Sequence, residues 1–142
     1  IEHVERPDEI LAAVSKLIKP GGRVVIVTDN TDSLDFGLFK RGYWGGYHFP
    51  RHLNLFNKSS LTKLALKTGL LVEGLTTIVS PVNWVYSIHN ALVDNRAPKF
   101  LINRFTLKSF VSLSAFTMLD MILQKAKRGA LLRATLQKPA VS

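Results

Sequence analysis

Residues 7–28 read PDEILAAVSKLIKPGGRVVIVT, and this stretch decides the fold. Ile10, Leu11, Val14, Leu17 and Ile18 recur at the spacing of one helical face, which predicts a helix over 7–18. Pro7 suits the first turn because its missing N–H would be unpaired there anyway, and Asp8 and Glu9 favour the positive end of the helix dipole. Lys19, Pro20, Gly21 and Gly22 stop the helix, with glycine available for the positive φ of a chain reversal. Val24–Val27 are then apolar on both faces, the pattern of a strand buried inside a sheet. Helix, tight turn and buried strand make half of a β-α-β unit, so the fold class is α/β with a parallel sheet.

Downstream, Asp29 to Leu55 changes to Asp, Asn, Gly, aromatic and His residues around GYWGGYHFPRH. This reads as a long loop. Loops of more than about 12–15 residues are uncommon in compact domains unless they carry function. It leaves the carboxyl end of a strand, where ligands bind in open α/β sheets. Asn57–Gly69 reads as a second helix, capped by Asn57, Ser59 or Ser60, with Leu61, Leu64 and Ala65 on its buried side. Leu70–Val79 and Ala130–Gln137 read as two more strands. A helical insertion lies between them, with Phe105, Phe110, Leu113, Phe116, Leu119, Ile122 and Leu123 at helical spacing.

The 142 residues, 46% of them apolar, suffice for one domain or part of one. The start at Ile1 reads as the middle of an element, so the chain is expected to be a fragment. Cysteine is absent, which excludes disulfides, thiol nucleophiles and cysteine-held metals. The net charge of +9 is uneven: 10 Lys/Arg against 8 Asp/Glu through Ser80, then 9 against 2 from Pro81 onward. Ser109 to Leu119, an apolar-leaning stretch without charge, is far short of the roughly 20 residues that a bilayer requires. The expectation is a cytoplasmic protein, or one peripheral at a membrane.

Three stretches, EHVERPDEILAAVSKLIKPGGRVVIVT, WGGYHFPRHLNLFNKSSLTKLALKTGLLVEGL and RGALLRATLQKP, carry a resemblance. Together they resemble the C-terminal half of a class I S-adenosylmethionine-dependent methyltransferase, near the ubiquinone-biosynthesis-type small-molecule O-methyltransferases. The resemblance implies a Rossmann-like part over 1–80 and 128–139, holding strands five, six and seven of that fold. Residues 81–127 would be a helical insertion between strands six and seven. The seventh strand would run antiparallel between the fifth and sixth. The resemblance also implies S-adenosylmethionine as cofactor, with an incomplete site. The glycine-rich loop and the acidic residue that hold the cofactor in the family have no counterpart in this chain. Weak or no cofactor binding by these residues alone is expected, and the missing N-terminal half of the domain would be their partner.

By the same resemblance, Glu2 and His3 lie where the fourth strand ends beside the cofactor. Read as residues, they are also ordinary polar groups at a strand-to-helix turn. Asn30 follows the strand and either hydrogen-bonds an acceptor or builds an Asx turn. His52 is the candidate general base, or a donor that orients the acceptor; the alternative is a structural histidine that fixes the loop. Arg51 suits an acidic substrate group, and His48 is a further candidate. Tyr43, Trp44 and Tyr47 form an aromatic wall for a planar acceptor or pack over the core. No metal site is expected, because Pro50 breaks helical spacing between His48 and His52.

The function expected is methyl transfer to a small-molecule or lipid-like acceptor, at oxygen. A non-catalytic membrane-associated or oligomerisation module derived from the same fold is the competing reading. The basic insertion is either a lid over the acceptor or, through 100–128, a membrane-surface helix. Nucleic acid is not an expected partner, because the Phe residues follow the apolar stripe rather than interleaving with the basic ones.

Overall fold

In the computed structural model, residues 1–140 of the chain are described, and they form an α/β structure built on a three-stranded sheet. Helix α1 spans Pro7–Leu17, with Pro7 in its first turn as its sequence predicts. Gly21 takes the turn at φ +75°, a conformation that a side chain would strain. Strand β1 follows over Arg23–Asp29. The loop expected from Asp29 to Leu55 is not structureless: Ser33 caps a short helix, α2 (Leu34–Phe39), and a single 3₁₀ turn covers Gly45–Tyr47. Helix α3 (Lys58–Lys67) starts from a full capping box, in which Asn57 and Ser60 exchange side-chain and backbone hydrogen bonds. Strand β2 (Leu71–Ile78), helices α4 (Pro81–Asp94), α5 (Lys99–Ile102) and α6 (Phe110–Lys125), and strand β3 (Leu131–Gln137) complete the order.

The sheet order is β1-β3-β2, with the last strand antiparallel to both neighbours, so β1 and β2 run parallel to each other. This is the strand arrangement that the resemblance implied. Arg23 pairs with Gln137 and Asp29 with Leu131 on one side of β3, and Leu71 and Ile78 face the same two residues on the other. A bulge at Glu73 interrupts the second ladder. Lys138 and the Gly21–Gly22 turn exchange backbone hydrogen bonds of 2.9 Å, which fixes the end of β3 to the start of β1.

One face of the sheet carries the core. Ile26, Leu132, Ala134 and Leu136 alternate inward and meet Leu11 of α1, Leu61 and Ala65 of α3, Phe56 and Leu70. On the opposite face the expected two-sided burial of β1 fails. Val25 and Val27 are exposed, because no helix of the described residues covers them and β1 is an edge strand here. Helices α4 and α6 pack on each other, with Trp84 stacked parallel to Phe116 at 5.6 Å, and α6 reaches the sheet through β2. The apolar positions of the insertion therefore split. Phe116 packs inward, whereas Phe110 and Ile122 face solvent, contrary to a single stripe buried against the sheet.

Candidate functional site

The chain leaves β1 at Asp29, and the loop that follows is closed at its base. Asn30 bridges to Phe56, and Thr31 N–H donates to the Phe56 carbonyl at 2.9 Å. On its return the loop is fastened to the N-terminal segment: Leu53 N–H donates to the Glu2 carbonyl at 2.8 Å, and Asn54 Nδ2 to the Val4 carbonyl at 2.6 Å. These ties bring Glu2, His3, Asp29 and His52 together at the carboxyl end of β1, although they lie far apart in sequence.

His52 sits at the centre. Its Nδ1 lies 2.7 Å from the Gly46 carbonyl and 3.1 Å from Asp29 Oδ2. Both partners are acceptors, so the network assigns the proton to Nδ1 and leaves Nε2 with a free lone pair. Asp29 is held in turn by Asn83 Nδ2 of α4, which donates to Oδ1 at 2.7 Å. Burial pushes the Asp29 carboxyl above its ordinary range, with Glu2 and Asp35 adding repulsion, while the Asn83 hydrogen bond and the His52 ring oppose the shift. Gly46 must be glycine here, since a Cβ would meet the Trp44 ring at 2.5 Å.

The rings form a row. His3 lies edge-on to His52 at 4.7 Å, His48 stacks on His52 at 5.4 Å, and Tyr86 of α4 meets His48 at 6.0 Å. His3 Nδ1 is 3.1 Å from the Arg51 carbonyl. Glu2 Oε1 lies 3.7 Å from His3 Nε2. One ligand atom from each of Glu2, His3 and His52 lies within 4.8 Å of the others. Among the described residues these three are the set that could hold a metal ion. His48, whose helical spacing to His52 is broken by Pro50, is not part of that set.

Two cavities flank this row. A polar one of about 530 Å³ is lined by Tyr47, His48, Phe49, Arg51, Tyr86 and Asn90, among others. A more apolar one of about 600 Å³ is lined by Tyr86, His89, Phe105 and Leu107, among others. Tyr86 belongs to both walls, so a molecule with a polar head and an apolar body would find matching surfaces on its two sides.

Several sequence candidates are placed differently. Asn30 is buried, donates to the Gly129 carbonyl at 2.9 Å and accepts from Asp32 N–H at 3.0 Å, so it builds the Asx turn and does not face an acceptor. Trp44 is 1% exposed, and its indole N–H donates to the buried Asp35 at 2.7 Å. It supports the loop from inside; a ring so enclosed cannot be the face of an acceptor wall. Tyr43 turns away from His52, with its hydroxyl donating to Asp94 Oδ2 at 2.8 Å. His48 and Arg51 do line the polar cavity. Asp29, Asn83 and Tyr86 escaped the sequence reading. Asp29 at a strand's carboxyl end was the one legible signal, whereas Asn83 and Tyr86 sit on a helix without a motif.

A family model described as a methyltransferase domain matches residues 1–75. No curated protein matches the sequence. Among solved structures, the crystal structure of the [4+2]-cyclase SpnF aligns with a TM-score of 0.51 at 15% identity, over 99% of this chain and 47% of that one. Phosphoethanolamine N-methyltransferase 2 of Haemonchus contortus, in complex with S-adenosyl-L-methionine, aligns at 0.47 and 17% identity, over 98% and 31%. At such identities likeness establishes the fold alone, and that argument rests on the first of the two. The chain spans less than half the length of either structure.

Proposed function

The chain belongs to the methyltransferase domain family, and on that premise we propose that it is the acceptor-side part of an S-adenosylmethionine-dependent enzyme that methylates a hydroxyl of a small, amphiphilic molecule. The observation that carries this reading is the hydrogen-bonded pair of His52 and Asp29 at the carboxyl end of β1.

S-adenosylmethionine supplies a methyl group already activated at a sulfonium, so the protein's share is alignment, a dry site and removal of the acceptor's proton. Glu2 and His3 suit the charged end of such a cofactor: Glu2 offers a carboxylate to a cationic group, and the His3 ring stands exposed beside His52. His52 takes the hydroxyl proton at Nε2, because Nδ1 is committed to Gly46 and Asp29. Asp29 then faces an imidazolium and stabilises it, while Asn83 keeps the carboxylate from rotating away. Arg51 and His48 offer the polar cavity to the acceptor's head, and Phe105 and Leu107 offer the neighbouring cavity to its apolar body. A hydroxyl acceptor is favoured over an amine by the presence of the base, since a neutral amine needs no proton removed before it attacks.

The test uses the full-length protein and transfer of a labelled methyl group to extracted amphiphiles. His52→Ala should lower turnover by roughly 10²–10⁴-fold, the usual contribution of a positioned base. Asp29→Asn should displace the pH profile of turnover while leaving cofactor affinity in place. Unchanged turnover in His52→Ala would sink the assignment of the base.

A further inference from the structure

The outward face of α6 has no partner among the described residues. Val111, Ala115, Met118 and Ile122 follow one another at intervals of four, three and four residues, so they lie along one side of the helix. Phe110 is 81% exposed, Val111 77%, Met118 68% and Ile122 66%. A monomer seldom leaves such a row of large apolar groups in water without a use for it.

The charges around this row say what covers it. Arg104 and Lys108 precede the helix, and Lys125, Lys127 and Arg128 end it; all five are exposed. From Pro81 to Arg128 there are seven Lys/Arg and two acidic residues, Asp94 and Asp120. Asp120 is fully buried, and Asp94 accepts the Tyr43 hydroxyl on another helix. The apolar row is thus bracketed at both ends by cations with no acidic side chain exposed along it. A second copy of the chain would have to bring these like charges together in either pairing direction. A lipid surface with anionic headgroups meets both demands at once: acyl chains take the apolar side chains, and the long basic side chains reach up to the phosphates. No helix of the described residues is long and apolar enough to cross a membrane, so the contact is in the interfacial plane.

We propose that α6, with Lys108 before it and Lys125, Lys127 and Arg128 at its end, docks the protein on an anionic phospholipid membrane. This surface adjoins the apolar cavity at Lys108 but does not include His52, and its docking does not depend on any chemistry there.

The test is flotation of the purified chain with vesicles of phosphatidylcholine alone and with added phosphatidylglycerol. The chain should float with the anionic vesicles, remain in solution with the neutral ones and be released by salt. Met118→Ser with Ile122→Ser should weaken partitioning roughly tenfold or more, because two buried apolar groups are lost. Reversal at Lys125→Glu, Lys127→Glu and Arg128→Glu should weaken it roughly a hundredfold or more at low salt. All five positions are exposed, so thermal unfolding of both variants should match the parent and exclude misfolding as the cause. Failure to float with anionic vesicles would overturn the proposal. So would binding that survives the serine pair, which would reduce the contact to charge alone. Light scattering that shows a dimer, dissolved by the serine pair and indifferent to lipid, would assign the face to a second copy instead.

Discussion

The carboxylate of Asp120 offers the sharpest test of how the insertion is joined to the sheet. It is fully buried on α6, and its two oxygens accept from Ser80 N–H at 2.6 Å and from Ala130 N–H at 3.2 and 3.3 Å. Ser80 is the N-cap of α4, yet its own side chain makes no capping bond. Asp120 therefore caps that helix from a neighbouring one and also holds the first residue before β3. In Asp120→Ala a buried donor, Ala130 N–H, and a half-buried one, Ser80 N–H, lose their acceptor, at roughly 1–3 kcal/mol each when buried. Burial raises the Asp120 carboxyl above its ordinary range, so removing it also relieves a desolvation cost. The net loss should fall in the lower half of the sum, about 2–3 kcal/mol, a large share of the roughly 5–15 kcal/mol of a typical domain. With a urea slope of roughly 1–3 kcal/mol/M, the midpoint should drop by about 0.7–3 M. Trp84 is stacked on Phe116 of the same helix, so its fluorescence reports the docking of α6 and should move together with circular dichroism. Asp120→Asn keeps one acceptor oxygen and should lose less. A midpoint shift below about 0.3 M at unchanged slope would refute the bridging role.

Gly46→Ala should destabilise by about 1–3 kcal/mol in the same urea assay, because its Cβ lands 2.5 Å from the Trp44 ring and something in the loop must move. In the full-length protein that variant should also impair turnover, since the Gly46 carbonyl is the closest partner of His52. For pH dependence, Asp29, Asp35 and Asp120 are all raised from 3.8 by burial, so above that pH the folded state keeps protons that the unfolded state has lost. Stability therefore falls as pH rises from 3.8 through their folded values, and levels beyond them. Asp8 and Glu73 act in the opposite sense at the acid end, where stability is lost as pH drops through their lowered values. A urea series across pH should show the decline, and Asp120→Asn should make it shallower; an identical slope would remove Asp120 from its causes.

What the sequence made legible was local. The helix from Pro7, the Asn57 cap and the three strands lie within a residue or two of their expected ends, because capping residues, turn glycines and β-branched runs act through neighbours in the chain. That His52 lies in the loop beyond β1 was legible too. Its partners were not. Asp29 and Asn83 meet across 54 residues, and nothing in either stretch announces the other. Trp44 shows a choice that the sequence left open: an aromatic in a glycine-rich loop reads as a binding surface or as packing, and the buried carboxylate of Asp35 makes it a strut. The exposure of Val25 and Val27 was hidden for a different reason, since burial of a strand face depends on what lies opposite and not on the strand itself.

The place of β3 in the middle of the sheet has a consequence for how the protein is made. Among the described residues β1 and β2 have no direct ladder with each other; both are joined through β3, which follows them in the chain. On a ribosome that adds 5–20 residues per second, residues 79–137 take roughly 3–12 s to appear. During that interval two strand edges and the Leu11, Leu61 and Phe56 surface wait for Leu132, Ala134 and Leu136. Joining of β1 to β2 therefore waits for β3, and a chain stopped before Leu131 is not a shorter version of this sheet but a pair of unjoined strands.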